Sequence, residues 1–160
     1  MQKLEAGKVP IQLEAIDPSL LLDSVSRHLS SSRHGNVPRF VSNIATGLPW
    51  VQADREQAEA VLMDLLGRAW KYSDADSTLV LEARVVGPWV AIDIAAQRFA
   101  PAGQRDFAPE IALCCKRVEI QGGKVICQIL SDSTLVTLNL RIAEPCSSDV
   151  EGESIDGAQD

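Results

Sequence analysis

Asp64 and Arg68 stand four residues apart in the run from Asp54 to Ser73, and their types and spacing invite a chemical reading. A carboxylate can ligate a cation or act as a base. A guanidinium is always charged and has no lone pair to give a metal, so Arg68 cannot share a metal-binding role. At i, i+4 on a helix the plainer expectation is an ion pair, worth roughly 0.3 to 0.5 kcal/mol if exposed. Lys71 and Tyr72 follow on the next turn. Tyr72 is expected to pack the helix end, and Lys71 to lay its stem on the surface with its head in water.

The other reactive residues are scattered. Cys114, Cys115, Cys127 and Cys146 show no C-x-x-C spacing. Neighbouring cysteines on one helix point to different faces, which argues against a shared metal site and makes Cys114 a small core hydrophobe. His28 adjoins an apolar stripe without an acidic neighbour, and His34 precedes Gly35; both are expected at the surface. No apolar run reaches the ~20 residues needed to span a bilayer, and no N-terminal apolar run would export the chain. Free thiols in the cytoplasm are the expectation.

These groups sit on a helix. Asp54 is a good N-cap, Ala58, Val61, Leu62, Leu65, Leu66 and Ala69 recur at helical spacing, and a Ser-Asp-Ala-Asp-Ser turn follows. Before it, Ile11, Leu13 and Ala15 alternate as a short strand. Asp17-Pro18 opens a helix whose buried stripe is Leu21, Leu22, Val25 and Leu29. Residues 37–44 and 49–53 read as two β segments separated by Thr46-Gly47. After the central helix, residues 78–86 and 89–95 are joined at Gly87-Pro88 as an antiparallel hairpin. Val90, Ile92 and Ile94 hold its inward alternation, which continues to Ala96 and turns Asp93 to the opposite face. Residues 110–121 are helical by pattern and end at Gly122-Gly123. A closing hairpin spans residues 124–130 and 135–142, with Val136, Leu138 and Leu140 inward.

One domain suits a chain of 160 residues. The net charge is −7, but Asp149, Glu151, Glu153, Asp156 and Asp160 lie after Pro145 with no Lys or Arg among them. Residues 145–160 therefore read as a disordered acidic tail, and the nearly neutral remainder argues against a nucleic-acid surface.

In register, the central helix resembles the N-box helix of the histidine-kinase-like (GHKL) ATPases, the superfamily of sensor kinases, DNA gyrase and MutL. There the pattern reads D-x-x-x-L-x-x-V-L-x-N-L-L-x-N-A-x-K-Y-S. The resemblance covers roughly residues 4–143 and implies the Bergerat fold, a two-layer α/β sandwich with helices on one face of a mixed, mainly antiparallel sheet. It also implies that residues 1–9 match the end of a dimerisation helix, residues 10–144 the ATPase domain, and the chain a domain cut from, or descended from, a longer signalling protein. A homodimer through an upstream helix would follow. No His followed by Asp or Glu on a long helix pair is present to accept a phosphoryl group.

The sequence departs from the pattern where chemistry would be done. Asp64 and Arg68 replace the two Asn residues, the second of which would bind magnesium. Ala96-Gln97-Arg98-Phe99-Ala100 stands where Asp-x-Gly-x-Gly would read adenine and admit the nucleotide. Residues 101–107 are too short for a lid over a triphosphate. Ala108 and Glu110, with Pro109 between them, occupy glycine positions at a phosphate-binding helix N-terminus, where a carboxylate repels phosphate.

The expectation is a degenerate domain with no ATP, no magnesium and no catalytic residue, acting in two-component signalling through a protein partner such as a kinase or response regulator. The helix at residues 19–29 and an apolar patch near Trp70, Arg98 and Phe99 are the expected contact surfaces. The alternative is an active sensor-kinase domain in which Asp64, Arg68, Lys71 and Tyr72 still line a divergent ATP pocket.

Overall fold

The computed structural model describes residues 11–31, 38–99, 109–129 and 133–143, with the side chains of the third segment described from residue 112. Ten elements follow in order: β1 (Glu14–Ile16), α1 (Pro18–Ser31), β2 (Arg39–Ile44), β3 (Val51–Ala53), α2 (Arg55–Tyr72), β4 (Thr78–Val86), β5 (Trp89–Ala96), α3 (Pro109–Glu119), β6 (Lys124–Ile129) and β7 (Thr134–Arg141). The main sheet runs β2-β4-β5-β7-β6, and β1 and β3 form a separate two-stranded ladder. Only β2 against β4 is parallel within the main sheet; its other three ladders are antiparallel.

The core follows the two periodicities. On β4, β5 and β7, Leu79, Leu81, Val90, Ile92, Ile94, Val136, Leu138 and Leu140 are buried and face the helices. From α1 come Leu21, Leu22, Val25 and Leu29, and from α2 Ala58, Val61, Leu62, Leu65, Leu66 and Ala69. The result is an α/β sandwich with helices on one face of a mixed, mainly antiparallel sheet, as expected. Gly87 takes φ +59° in the two-residue turn between Val86 and Trp89, a conformation that suits glycine.

Three readings need correction. The first strand buries Ile16, not the Ile11, Leu13 and Ala15 series: Leu13 is 45% exposed. Its β1 ladder sets Ile16 against Val51, and that pair is what the core takes in. Asn139 alternates with the inward Leu138 and Leu140, so phase sets it on the opposite face of β7, yet it is buried between its cross-strand partners Ala91 and Lys124. The last helix stops at Glu119, two residues before Gln121, and a turn leads into Gly123. Residues 101–107, read as too short for a lid, Ala108, the Glu110 side chain, His34, Leu130, residues 1–10 and the acidic tail lie outside the described residues.

Candidate functional site

Asp54 sets the start of α2. Its Oδ1 accepts from the Gln57 N–H at 3.1 Å, the N-cap bond the sequence predicts. Nearly three turns on, Asp64 is 45% exposed at its side chain, and its Oδ2 lies 3.8 Å from Arg68 Nε, the i, i+4 pair. Its closer partner comes from α3. The buried Cys114 thiol donates to the same Oδ2 at 3.0 Å. That bond joins residues 50 apart, and no spacing signal in the chain could have found it.

Burial, then the Asp64 carboxylate, push the Cys114 thiol up to about 12. A thiol raised above its unfolded value of 9.0 keeps its proton in the folded chain after the unfolded chain has lost it. Its contribution to stability is therefore intact below pH 9 and is lost as the pH climbs toward 12. Cys114→Ala is expected to flatten that alkaline decline, by on the order of 1 kcal/mol per pH unit. Urea titrations of wild type and variant at matched pH measure the difference; parallel curves would show that the thiol does not titrate as described.

At the C-terminal end of α2, the Lys71 ammonium lies 5.3 Å from the centroid of the half-buried Tyr72 ring. The residues after β5 fold onto the same end. Arg98 Nη1 donates to the Tyr72 carbonyl at 3.0 Å and to Asp74 Oδ1 at 3.3 Å. The Ser73 hydroxyl donates to the Arg98 carbonyl at 3.1 Å. Gln97 both accepts from the Asp74 N–H at 2.6 Å and donates to Asp74 Oδ2 at 2.9 Å. The hydrogen bonds from Gln97 and Arg98 hold the Asp74 carboxyl below its usual range. A cation on the last carbonyls of a helix also complements its dipole. Arg98 therefore works as a C-terminal clamp on α2, a role that sequence reasoning missed.

Ala96 is buried on the helix-facing side of β5, with no acceptor at its side chain. Asp93 faces the other side of the sheet, as its phase predicts, where Arg84 and the Thr137 hydroxyl donate to it. Both ladders of β5 run through Asp93 without a bulge. Of the expected apolar patch near Trp70, Arg98 and Phe99, the structure buries one member outright. Phe99 is 2% exposed, and Trp70 is half-buried with its ring edge-on to Phe40 at 6.2 Å. Arg98, the charged member of that trio, is engaged with α2. On α1, the expected contact helix, Leu20 does stand exposed. An open cleft of about 360 Å³ lies beside Ala96 and Gln97, bounded by Asp76, Thr78 and Ser133.

Among the described residues, no three His, Cys, Asp or Glu side chains converge as a metal site, and no helix is long and apolar enough to cross a membrane. No protein-family model matches the chain, and no curated protein sequence does. Solved structures do. The catalytic domain of the histidine kinase ThkA aligns with a TM-score of 0.69 at 13% identity, over 82% of this chain and 97% of that one. The Acinetobacter baumannii histidine kinase AdeS aligns with a TM-score of 0.67 at 15% identity, over 85% of this chain and 70% of that one. ThkA in complex with the response regulator TrrA aligns with a TM-score of 0.68 at 13% identity, over 83% of this chain but only 42% of that one. The fold is thus that of a histidine-kinase ATPase domain, as the N-box resemblance implies.

Proposed function

We propose that this chain is a degenerate histidine-kinase-like ATPase domain that does not bind ATP and that acts in two-component signal transduction by binding a protein partner. One observation carries the reading. Gln97 and Arg98, in the stretch that resembles the nucleotide-reading Asp-x-Gly-x-Gly, are fastened to the end of α2 through Tyr72 and Asp74. An adenine nucleotide seated against that end of α2 would have to compete with these bonds. Ala96 gives an adenine amino group nothing to bond, and Arg68 gives magnesium no lone pair. The complex of ThkA with TrrA supports a response regulator as the class of partner.

Isothermal titration with a non-hydrolysable ATP analogue and magnesium tests the reading. No saturable heat is expected up to millimolar nucleotide, and micromolar binding would overturn it. A second reading, an active kinase domain with a divergent pocket, draws on the exposure of Asp64 and Lys71. Under it, ATP raises the melting temperature of the wild type and the rise disappears in Lys71→Ala.

A further inference from the structure

The face of the main sheet turned away from the core carries no helix among the described residues, and register sorts its side chains into rows across the strands. At the end nearest the turn between β4 and β5, the first row is Val86, Trp89 and Arg141, and the second is Arg84, Ala91, Asn139 and Lys124. These rows hold three cations and no carboxylate. Arg84 is taken by Asp93 of the next row. Lys124 and Arg141 have no acidic partner among the described residues. Both instead flank one ring: the Lys124 ammonium lies 6.0 Å, and the Arg141 guanidinium 5.3 Å, from the centroid of half-buried Trp89. Two like charges gathered on one indole leave this end of the face positive and ready for an anion. Apolar surface adjoins it, since Val86 is exposed and Trp50, next to the buried Val51, is 54% exposed.

The chain itself supplies the complement at this spot. The Ile142 N–H donates to the Pro88 carbonyl at 2.9 Å and the Ala143 N–H to the Trp50 carbonyl at 2.8 Å, so residues 144–160 continue from beside the two tryptophans. Beyond Pro145 they carry Asp149, Glu151, Glu153, Asp156 and Asp160 with no Lys or Arg, and Val150 and Ile155 stand among the acids. We propose that residues 149–156 dock in cis on this basic, tryptophan-bearing end of the open sheet face, pairing carboxylates with Lys124 and Arg141 and setting Val150 and Ile155 against Trp89 and Trp50. The reach suffices. Six residue steps from Ala143 to Asp149 span up to about 20 Å, and crossing from β7 over β5 to β4 needs about 10 Å. A link that short holds the acids at an effective concentration in the millimolar range, an advantage that neither an acidic segment of another protein nor an anionic membrane has. The surface includes no residue at the Lys71, Tyr72 and Arg98 end of α2, so the inference stands whether or not the domain binds nucleotide.

Proton–nitrogen correlation spectra of the isotope-labelled full chain at low salt provide the test. The comparison is a variant carrying Asp149→Asn, Glu151→Gln, Glu153→Gln and Asp156→Asn together. The Trp89 indole signal and the Lys124 and Arg141 amide signals are expected to differ between the two chains and to coincide in about 1 M salt, where the Debye length is about 3 Å. Lys124→Gln with Arg141→Gln should move the amide signals of residues 149–156 toward their high-salt positions. Identical Trp89 signals in wild type and tail variant at low salt, or tail signals unmoved by the Lys124 and Arg141 changes, would overturn the proposal. Should the double variant fail to fold, a salt titration of wild type replaces it: tail and Trp89 signals must move with one midpoint, and independent movement refutes docking. Spectra of wild type should not change on dilution; a concentration-dependent Trp89 signal would assign the face to the tail of a second copy. Added vesicles of phosphatidylcholine and phosphatidylserine should leave the Trp89 signal as it is, and its loss would mean that a lipid surface takes the face instead.

Discussion

Gly123→Ala is expected to lower the stability of the folded chain by roughly 2 to 4 kcal/mol. A Cβ at that position would lie 2.7 Å from the Asn139 carbonyl oxygen and 2.7 Å from Val118 Cγ1. Neither neighbour can yield cheaply. Asn139 sits in the middle of β7, paired with β5 on one side and with Lys124 of β6 on the other. Val118 is buried on α3, and its carbonyl already accepts from the Gly123 N–H at 3.0 Å. That bond, with the Gly122 N–H donating to the Glu119 carbonyl at 3.0 Å, makes a glycine-terminated helix end that drops the chain onto the sheet.

Gly122→Ala is a useful contrast, because nothing lies within 4 Å of its Cβ position and only the left-handed φ of +89° opposes it. That change should cost about 1 kcal/mol. Denaturant midpoints of the two variants decide the matter. Equal losses, or a larger loss at Gly122, would mean that close approach is not what requires the second glycine.

The same Gly-Gly pair shows how far the chain could be read in advance. That a helix ends there is legible from two letters. That one glycine is needed for its φ and the other for its missing Cβ is not, because the second reason depends on Asn139, a distant residue buried against expectation. Periodic segments are the most legible. The six apolar positions of α2 are its six buried residues, and the phase of β5 places both Ala96 and Asp93. A three-residue strand such as β1 has too few positions for alternation to be distinctive, and it buries Ile16 in place of the alternating series.

At the candidate site the departures were visible and their replacements were not. Missing acid and glycines can be seen as letters in Ala96, Arg98 and Ala100. The turn of Arg98 back onto Tyr72, and the burial of Phe99 beside it, are decided by packing between segments far apart in the chain. The Cys114–Asp64 bond has the same origin. Side-chain contacts between α2, α3 and β6 follow from how the helices sit on the sheet, which local pattern does not specify.

Asp54→Ala is expected to destabilise the fold by about 2 to 3 kcal/mol, more than an ordinary helix cap, and to lower the melting temperature by roughly 5–10 °C. An N-cap alone contributes about 1 kcal/mol. Here the carboxylate does more, since its second oxygen accepts from the Gln12 N–H at 2.9 Å, tying the segment before β1 to the start of α2. The Asp54 backbone N–H in turn donates to Gln121 Oε1 at 3.0 Å, and Gln121 Nε2 donates to the Arg117 carbonyl at 2.8 Å. The residue thus lies where β1, α2 and the end of α3 meet, and it is 7% exposed. Alanine would leave the part-buried donors of Gln12 and Gln57 without this acceptor, and each lost bond costs about 1 kcal/mol. Asp54→Asn keeps one carbonyl oxygen and can restore the Gln57 bond, but the amide nitrogen cannot accept from Gln12. It should therefore recover about half the loss. Full recovery by asparagine would show that the cap is all that matters, and no loss in the alanine variant would remove Asp54 as the joint that holds three elements together. Either result can be read from thermal unfolding without any ligand, which separates the frame of the domain from the question of what it binds.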